Sequence, residues 1–523
     1  MISVCAGLVV VDDKSKIIRL VHYTTQEYFE RTRDDWFPDA ETFITTICVT
    51  YLSFETFNTG FCLTLRDFVD RVRSNRLSTY AASFWRLHIG KASISEKTLE
   101  HALLRFLENQ AKVDTSWQLR DSHDLLESHV GQGSSLNSSY SYYSHSRFSS
   151  TGLTGMHITA FFGLKTVVQL LLYSGKLEVD SRDSPSKRVF SRDVDIVNQG
   201  QTPLFYAAQN GHEKVMKLLL DTGKVEINSR DRFRQTPLLY AVKSGHEKAV
   251  KLLLDTGKVE VNSKNYRGRT PFGKTQLFGA VDNGHESIVR LLLNTGAVNI
   301  NQSDYEHRTP ISYAAESGFE SMVKLFLDTN SVDSDVADKS GRTPISYAAE
   351  GGHESIVKLF LNTNSVDVNS ADKYHRTPIF YAAQSGSESM VKLLLDTGKI
   401  IGDQNHNGFT LFRHACRQKS RSIIELLLDT GEFNYNSVDD GGLTPLWRAA
   451  FEAIEAVLEQ FLNTKKVDLN CAMKYWKNEE SSFHVHEGIV KLLVKAYADT
   501  KIDIPPIAAE YIRERWPDIL EGT

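Results

Sequence analysis

One short segment of the chain has the residue types and spacing of a phosphate-binding loop. Gly268, Gly273, Lys274 and Thr275 satisfy the pattern G-x-x-x-x-G-K-[ST], in which backbone N–H groups and the lysine hold phosphates. Such a loop needs a buried parallel strand before it and a long helix after it. Residues 260–267 are polar, and only a short helix is expected after Thr275. We therefore interpret the match as accidental and keep nucleotide binding there as a remote alternative.

The histidines raise the question of a metal site. Four of the 17 histidines recur at one position of a repeated segment: His212, His246, His285 and His353. Packed helices lie about 8–10 Å apart, whereas the ligands of one ion all lie about 2 Å from it. Histidines of successive repeats therefore cannot share an ion, and we expect them to have a structural role at the turn between helices. His484 and His486 are close together but have no further ligand in view, so no metal site is predicted.

Motif content and charge argue against an enzyme, a membrane protein and a nucleic-acid-binding protein. No G-x-S-x-G, H-E-x-x-H or recognisable Cys/His pairing occurs, and the five cysteines include no C-x-x-C pair. The formal net charge is −5, so no broad basic surface is expected. The apolar run at residues 2–11 is too short to span a membrane. We predict an intracellular protein, cytoplasmic or nuclear, with no catalytic residues, no cofactor and no metal.

A repeat of about 34 residues dominates the chain from residue 151 onward. Its units are marked by the pairs Thr202-Pro203, Thr236-Pro237, Thr309-Pro310, Thr343-Pro344, Thr377-Pro378 and Thr444-Pro445. Thr154, Thr275 and Thr410 keep the register without a following proline, and residues 486–493 match only the second half of a unit. These anchors predict nine units and one partial unit.

Each unit has the pattern of two short helices and a hairpin loop. Thr202 is suited to cap a helix, and Pro203 has the φ of a first helical turn. Gly211 is expected to end this first helix, and Gly223 the second. Because a single unit cannot cover its own apolar face, neighbouring units must stack and cover one another.

These residues resemble the ankyrin repeat family, whose unit contains D-x-x-G-x-T-P-L-H-x-A-x-x-x-G-H and then I-V-x-L-L-L. Gly284–Val289 and Gly352–Val357 are close to its second half. The resemblance covers about residues 152–503 and implies a mostly α fold, a solenoid with a concave surface for protein partners. The histidine after Thr-Pro-Leu is replaced by Phe205, Leu239, Phe278, Ser312, Ser346, Phe380 and Trp447. We expect apolar packing to take the place of its polar contacts.

The segment before the repeats is predicted to be a hairpin followed by helices. Residues 8–11 and 17–21 are apolar runs around a turn, and Asp39 can cap a helix with an apolar stripe. That stripe comprises Phe43, Ile44, Ile47, Cys48, Tyr51 and Leu52. Residues 18–29 and 47–52 are similar to the winged helix and helical linker of fungal NACHT–ankyrin signal-transduction ATPases. This resemblance implies an alternative function as the sensor or regulatory end of such an ATPase, truncated or split, whose NTPase domain would lie upstream.

The predicted organisation has four parts. Residues 1–112 form a winged-helix remnant and helical module, and residues 113–150, rich in Ser and Tyr, form a linker. Residues 151–503 form the repeat solenoid, and residues 504–523 form a capping helix.

Tyrosines also recur at one position of the first helices: Tyr206, Tyr240, Tyr313, Tyr347 and Tyr381. The simplest interpretation is contact between neighbouring first helices. At the repeat spacing the rings are too far apart to stack directly, since stacking needs centroids about 4.5–7 Å apart. Other residues are therefore expected between them.

Aromatic and basic residues stand at the tips of the hairpin loops. Our candidate partner-binding residues are Arg232, Phe233, Tyr266, Arg267, Tyr305, Lys373 and Tyr374. Stacking does not require aromatic residues at the tips, and Tyr and Arg often carry the energy of protein interfaces. The alternative is a set of solvated tips with incidental aromatic residues. The sequence thus predicts a non-catalytic protein–protein interaction scaffold with an unidentified protein partner, and no nucleic acid or membrane partner.

Overall fold

The computed structural model of the chain describes residues 9–11, 18–20, 39–121, 152–183, 200–265, 274–400, 411–464, 467, 469 and 487–520. Within these ranges it leaves out residues 63, 93, 95–96, 330, 364, 419, 432, 434–435, 437–443 and 452–454. The chain divides into two compact units, unit 1 at residues 1–263 and unit 2 at residues 264–523.

Unit 1 begins with the hairpin that the two apolar runs predicted. Strands β1 (Val9–Val11) and β2 (Ile18–Leu20) pair antiparallel, with Val9 opposite Leu20. The helices described after it are α1 (Ala40–Leu52), α2 (Leu65–Ser74), α3 (Ser78–Ile89), α4 (Lys97–Leu107) and α5 (Gln110–Asp121). Helix α1 packs against α3 and α4, and α5 packs against α3.

The predicted inward stripe of α1 is partly wrong. Its buried residues are Thr42, Thr45, Cys48, Val49 and Leu52. Phe43, in contrast, is 66% exposed, and Ile47 is 42% exposed. Because α1 carries apolar residues around most of its circumference, periodicity alone does not determine which side faces α3 and α4.

Helix α5 crosses the boundary predicted at residue 112. Residues 113–121 are helical, and Val113 and Leu119 are fully buried. The ring of Trp117 packs edge-on against that of Phe161, with centroids 5.4 Å apart. The helical module therefore continues to at least residue 121, and the other domain limits stay predictions.

Helix pairs complete unit 1. They are α6 (Gly155–Phe161) with α7 (Lys165–Ser174), α8 (Pro203–Gln209) with α9 (Glu213–Asp221), and α10 (Pro237–Lys243) with α11 (Glu247–Leu254). Helix α4 contacts the first pair closely: a Cβ on Gly155 would lie 2.3 Å from the carbonyl oxygen of Leu107. Glycine is therefore required there.

Unit 2 continues the same pattern. Its helices are α12 (Gln276–Asp282), α13 (Glu286–Asn294), α14 (Pro310–Glu316), α15 (Glu320–Leu327), α16 (Pro344–Glu350), α17 (Glu354–Leu361), α18 (Pro378–Gln384), α19 (Glu388–Leu395), α20 (Leu411–Arg417), α21 (Arg421–Thr430), α22 (Pro445–Phe451), α23 (Glu455–Asn463) and α24 (Glu487–Thr500). The described residues of both units thus hold nine helix pairs and one helix of a tenth. This helical repeat is the predicted fold class.

The units fold locally much as their anchor residues predict. Pro203 and Pro237 occupy the first helical position, and the Oγ1 of Thr236 accepts a hydrogen bond from the N–H of Leu239 at 3.3 Å. The capping bond predicted at Thr202 is not formed: its Oγ1 is buried and has no hydrogen-bond partner among the described residues. Gly211 and Gly223 both have φ of 68°, a left-handed conformation that suits glycine after a helix. Helix bounds therefore follow from the sequence almost to the residue.

The chain ends on two short helices instead of the one predicted. They are α25 (Pro506–Arg515) and α26 (Pro517–Leu520). Pro517 lacks the N–H that would continue α25, so the helix stops before it. Ile512 packs against Val490 of α24, and Trp516 covers this cluster. None of the described helices combines the length and apolarity required to cross a membrane.

Candidate functional site

The repeated histidines bind the turn of the preceding repeat. The Nε2 of His212 donates to the carbonyl oxygen of Phe161 at 2.9 Å, and His246 and His353 make equivalent bonds. The His212 ring also fills the space beside a glycine, because a Cβ on Gly163 would lie 2.5 Å from its Nδ1. These contacts are structural. In the described part of the chain, no group of three or more His, Cys, Asp or Glu side chains is placed to hold a metal ion; His484 and His486 lie outside that part.

The described residues of the phosphate-loop-like segment, Lys274 and Thr275, make contacts with the repeat helices. The Nζ of Lys274 lies 2.6 Å from Oδ2 of Asp282 and 4.1 Å from the ring centre of Tyr313. Thr275 is buried directly before α12, which has seven residues. Residues 268–273 lie outside the described residues. The lysine that a bound phosphate would need is thus paired with a carboxylate.

In unit 2, three successive hairpin tips are built alike, at residues 304–308, 338–342 and 372–376. The Oδ1 of the first aspartate in each tip accepts hydrogen bonds from two backbone N–H groups of the same tip. For Asp372 the donors are the N–H groups of Tyr374 and Arg376, both at 2.8 Å. Each tip is therefore fixed by its own aspartate.

Backbone hydrogen bonds also join these tips to one another. The N–H of Lys339 donates to the carbonyl of Glu306 at 2.9 Å, and the N–H of Lys373 donates to the carbonyl of Ser340 at 2.8 Å. The three tips thus form one continuous edge. We call its exposed side chains the tip surface: Tyr305, His307, Lys339, Lys373, Tyr374 and His375.

The aromatic residues of the tip surface protrude. Tyr305 is 48% exposed and Tyr374 is 60% exposed. Next to them, His307 and His375 have φ of 60° and 59°, a conformation that glycine adopts easily and histidine does not. The middle tip has Gly341 at the equivalent position. Exposed backbone strain of this kind often accompanies binding sites.

The remaining candidate residues lie elsewhere. In unit 1, Arg232 is exposed and Phe233 is half-buried, in a tip where Oδ1 of Asp231 accepts from the N–H of Phe233 at 2.9 Å. Tyr266 and Arg267 lie outside the described residues. Of the predicted residues, the structure therefore brings Tyr305, Lys373 and Tyr374 together on one edge.

The recurring tyrosines of unit 2 bind the tip aspartates. Each hydroxyl donates to Oδ2 of the aspartate of its own repeat: Tyr313 to Asp304 at 2.8 Å, Tyr347 to Asp338 at 2.6 Å and Tyr381 to Asp372 at 2.7 Å. Burial, and then the bond to the carboxylate, raise the pKa of these tyrosines above the ordinary value. The hydroxyls therefore remain protonated and keep donating to the tips.

Arginines fill the spaces between successive tyrosine rings, as the ring spacing predicted that some residue would. The guanidinium of Arg308 lies 3.9 Å from the ring centre of Tyr313 and 4.4 Å from that of Tyr347. Arg342 lies 4.0 Å from Tyr347 and 4.5 Å from Tyr381. Both arginines also pair with a glutamate at the end of their own first helix. We call this alternation the tyrosine–arginine ladder.

None of the predicted residues is an arginine of the ladder, although the sequence contains a signal for these arginines. Arg308, Arg342 and Arg376 each stand directly before a Thr-Pro pair, at the repeat period. In unit 1 the same position holds glutamine, and Nε2 of Gln201 donates to the hydroxyl of Tyr240 at 2.6 Å. The ladder behind the tips is therefore charged in unit 2 and uncharged at this position in unit 1.

In most repeats the histidine that follows Thr-Pro-Leu in the family pattern is replaced, and aromatic packing takes the place of many of its contacts. The ring of Phe205 lies 5.5 Å from that of Tyr240 in the next repeat, edge-on, as apolar substitution predicted. Ser312 instead keeps a polar contact, 2.9 Å between its Oγ and the Oγ1 of Thr309. The first repeat keeps a histidine at this position, His157, which was not among the predicted residues. Its Nδ1 accepts a hydrogen bond from the N–H of Thr154 at 3.0 Å.

Comparison with known families gives one result. The model of a family described as "Ankyrin repeats (3 copies)" matches residues 123–231, 156–265, 258–334 and 311–405. Together these matches cover residues 123–405, more than half of the chain. A search of curated proteins gave no match.

Proposed function

This chain belongs to the ankyrin repeat family, and on that premise we propose that it is a non-catalytic scaffold that binds a protein partner through its hairpin tips. Ankyrin repeats generally mediate protein–protein interaction. The tips that would carry the interaction are those with the aromatic residues Phe233, Tyr266, Tyr305 and Tyr374 and the basic residues Arg232, Arg267 and Lys373.

The observation that carries the proposal is the tip surface of unit 2. Its two protruding tyrosines stand on tips that are fixed by aspartates and joined by backbone bonds. A rigid aromatic side chain loses little conformational entropy when it binds, so preorganised tips favour affinity. Lys373 adds positive charge, which would favour a partner with an acidic group at the matching position, whereas the Nζ of Lys339 lies 3.7 Å from Oε1 of Glu306 and is paired with it.

The test changes Tyr305 and Tyr374 to alanine, alone and together with Phe233→Ala and Tyr266→Ala. Immobilised full-length chains are incubated with cell extract, and the retained proteins are quantified by mass spectrometry. The dissociation constant is then measured for the most enriched protein. We expect the double variant to weaken binding at least about tenfold, because exposed tyrosine anchors commonly carry interface energy.

The matched control is Tyr173→Ala, since Tyr173 is 90% exposed on α7 and lies outside the hairpin tips. The Tyr305→Ala/Tyr374→Ala variant and the Tyr173→Ala control should melt close to the wild-type temperature, because the side chains that they change are exposed. If the variant with all four substitutions retained the enriched proteins as the wild type does, the proposal that the hairpin tips bind the partner would be wrong.

As a second candidate we propose the regulatory end of a NACHT-type signalling ATPase. The similarity of residues 18–29 and 47–52 supports it, and the β1–β2 hairpin overlaps the first of these segments. Sequencing the transcript that encodes the chain tests the idea. An in-frame P-loop NTPase domain before residue 1 is expected, and a transcript with stop codons there would eliminate this candidate.

A further inference from the structure

The helical module of unit 1 exposes an unusual amount of apolar surface. Seven of the ten large apolar side chains that are exposed among the described residues lie between residues 43 and 87. They are Phe43, Ile47, Phe54, Leu77, Tyr80, Phe84 and Leu87. We call them the outer patch. The tip surface and the outer patch share no residue.

Helix α1 is apolar on both sides. The side that faces its neighbours carries Thr42 and Thr45 together with the apolar residues Cys48, Val49 and Leu52. The opposite side carries Phe43 and Ile47, which are one helical turn apart. A helix that is apolar all round is normally buried, so the exposed side of α1 is a surface that another element is expected to cover.

Helix α3 is likewise apolar on both sides. Its buried side carries Trp85 and Ile89 together with the small residues Ser78, Ala81 and Ala82. Its exposed side carries Tyr80 and Phe84, whose rings lie 5.0 Å apart, and then Leu87 one turn further. Three large apolar residues of α3 thus point away from the core of the module, while Trp85 and Ile89 lie within it.

The exposed stripes of α1 and α3 lie on one side of the helix pair. The hydroxyl of Tyr80 lies 3.2 Å from Nε2 of His88, and Nδ1 of His88 lies 2.5 Å from Oε2 of Glu41. Glu41 begins α1 and His88 ends α3, so the two helices run antiparallel. Helix α4 packs against α1 and helix α5 packs against α3, and the exposed stripes face away from these neighbours.

We propose that the outer patch binds the outer patch of a second copy of this chain. Seven large side chains, each about half exposed, present roughly 600 Å² of apolar surface if a full ring side chain offers about 200 Å². Two copies would bury about 1,200 Å², which exceeds the ~1,000 Å² expected of a specific interface.

The chemistry of the outer patch favours a like partner. A two-fold interface places the same surface on both sides, so charges near the axis meet their own copies. None of the seven residues carries a formal charge, and the ionisable groups Glu41 and His88 beside Tyr80 bind each other. Aromatic and apolar residues without charge are typical of the centre of homodimer interfaces.

The experiment measures the molar mass of the full chain by light scattering and sedimentation velocity, from about 1 to 100 μM. We expect wild-type particles of twice the 59.0 kDa of one chain at the upper concentrations. The double variant Phe43→Glu/Phe84→Glu should raise the dissociation constant at least about 100-fold, because four carboxylates would be placed in an apolar interface.

Two further variants separate loss of pairing from loss of folding. Tyr173→Glu, at an exposed position outside the outer patch, should dimerise as the wild type does. Tyr80→Ser/Leu87→Ser introduces no charge and should weaken the dimer about tenfold while circular dichroism stays unchanged. A monomeric wild type at 100 μM overturns the proposal, and so does a dimer that both patch variants form as tightly as the wild type.

Discussion

His157 shows how a single buried side chain sets a pH dependence. Its ring accepts from the N–H of Thr154 through Nδ1 and donates from Nε2 to the carbonyl oxygen of Gln201 at 3.2 Å. Burial lowers its pKa to about 4, against an ordinary value of 6.5. The native fold therefore holds His157 neutral where an unfolded chain would protonate it.

The sign of the resulting effect is fixed by this shift. As the pH falls from about 6.5 towards about 4, His157 binds a proton in the unfolded state but stays neutral in the folded state. The free energy of unfolding of unit 1 therefore decreases. A shift of this size corresponds to at most about 3 kcal/mol. Urea unfolding of wild type and His157→Gln between pH 7.5 and 4.5 should show a shallower decline for the variant. Parallel curves would contradict the prediction.

Asp335 interrupts a series of asparagines that link neighbouring repeats. Asn301 and Asn369 each donate from Nδ2 to a carbonyl oxygen of the next repeat at 2.8 Å. Asp335 cannot donate when ionised, and its Oδ1 is buried without a hydrogen-bond partner among the described residues. Burial raises its pKa, as does the carboxylate of Asp367.

Asp335→Asn should therefore stabilise unit 2, by about 1 kcal/mol at pH 7. Because the pKa of Asp335 is raised, the folded wild type binds a proton more tightly than the unfolded chain does. Acidification therefore stabilises the wild type and reduces the difference in the free energy of unfolding between Asp335→Asn and the wild type. Asn369→Asp is the matched reverse change and should destabilise by a similar amount. Urea unfolding at pH 7 and pH 5 measures both, and a stabilisation that grows on acidification would be inconsistent with this account.

At the scale of elements, the tyrosine–arginine ladder predicts a stability contribution of its own. Arg342→Gln places in unit 2 the residue that unit 1 has at this position. We expect a loss of about 1–2 kcal/mol, because the guanidinium between Tyr347 and Tyr381 is largely shielded from solvent. Chemical unfolding is compared with that of Lys373→Gln, an exposed control. Equal losses for both variants would show that the ladder contributes nothing.

The sequence predicted elements well where local chemistry determines them. Thr-Pro pairs and turn glycines located the helices, because capping and backbone conformation are properties of a few adjacent residues. The orientation of α1 was wrong, since it depends on which helices pack beside it. The protrusion of Tyr374 and the half-burial of Phe233 likewise depend on the path of each tip, which no spacing of residues records.

At the scale of the whole molecule, the repeats should respond to damage locally. Among the described residues, the larger helix contacts within each unit join a helix pair to its neighbours, so stability is close to a sum of repeat and interface contributions. Phe360 on α17 is fully buried, and Phe360→Ala should cost about 3–5 kcal/mol. Hydrogen exchange should accelerate in α14–α19 and stay unchanged in α6–α9. Uniform acceleration across both units would indicate a single cooperative fold.

The contact between a turn histidine and the glycine of the preceding repeat has a consequence for how such a chain can evolve. The repeats of His212 and Phe319 carry both halves of the contact: a ring that packs on the glycine of the unit before, and a glycine, Gly211 or Gly318, that receives the ring of the unit after. A duplicated or deleted unit therefore brings a fitting junction with it. Gly284 even receives the phenyl ring of Phe319, 3.3 Å from where a Cβ would stand. Recombination between genes can thus exchange whole repeats and keep this contact. Recombination within a repeat separates the ring from the glycine, and the contact must then form anew.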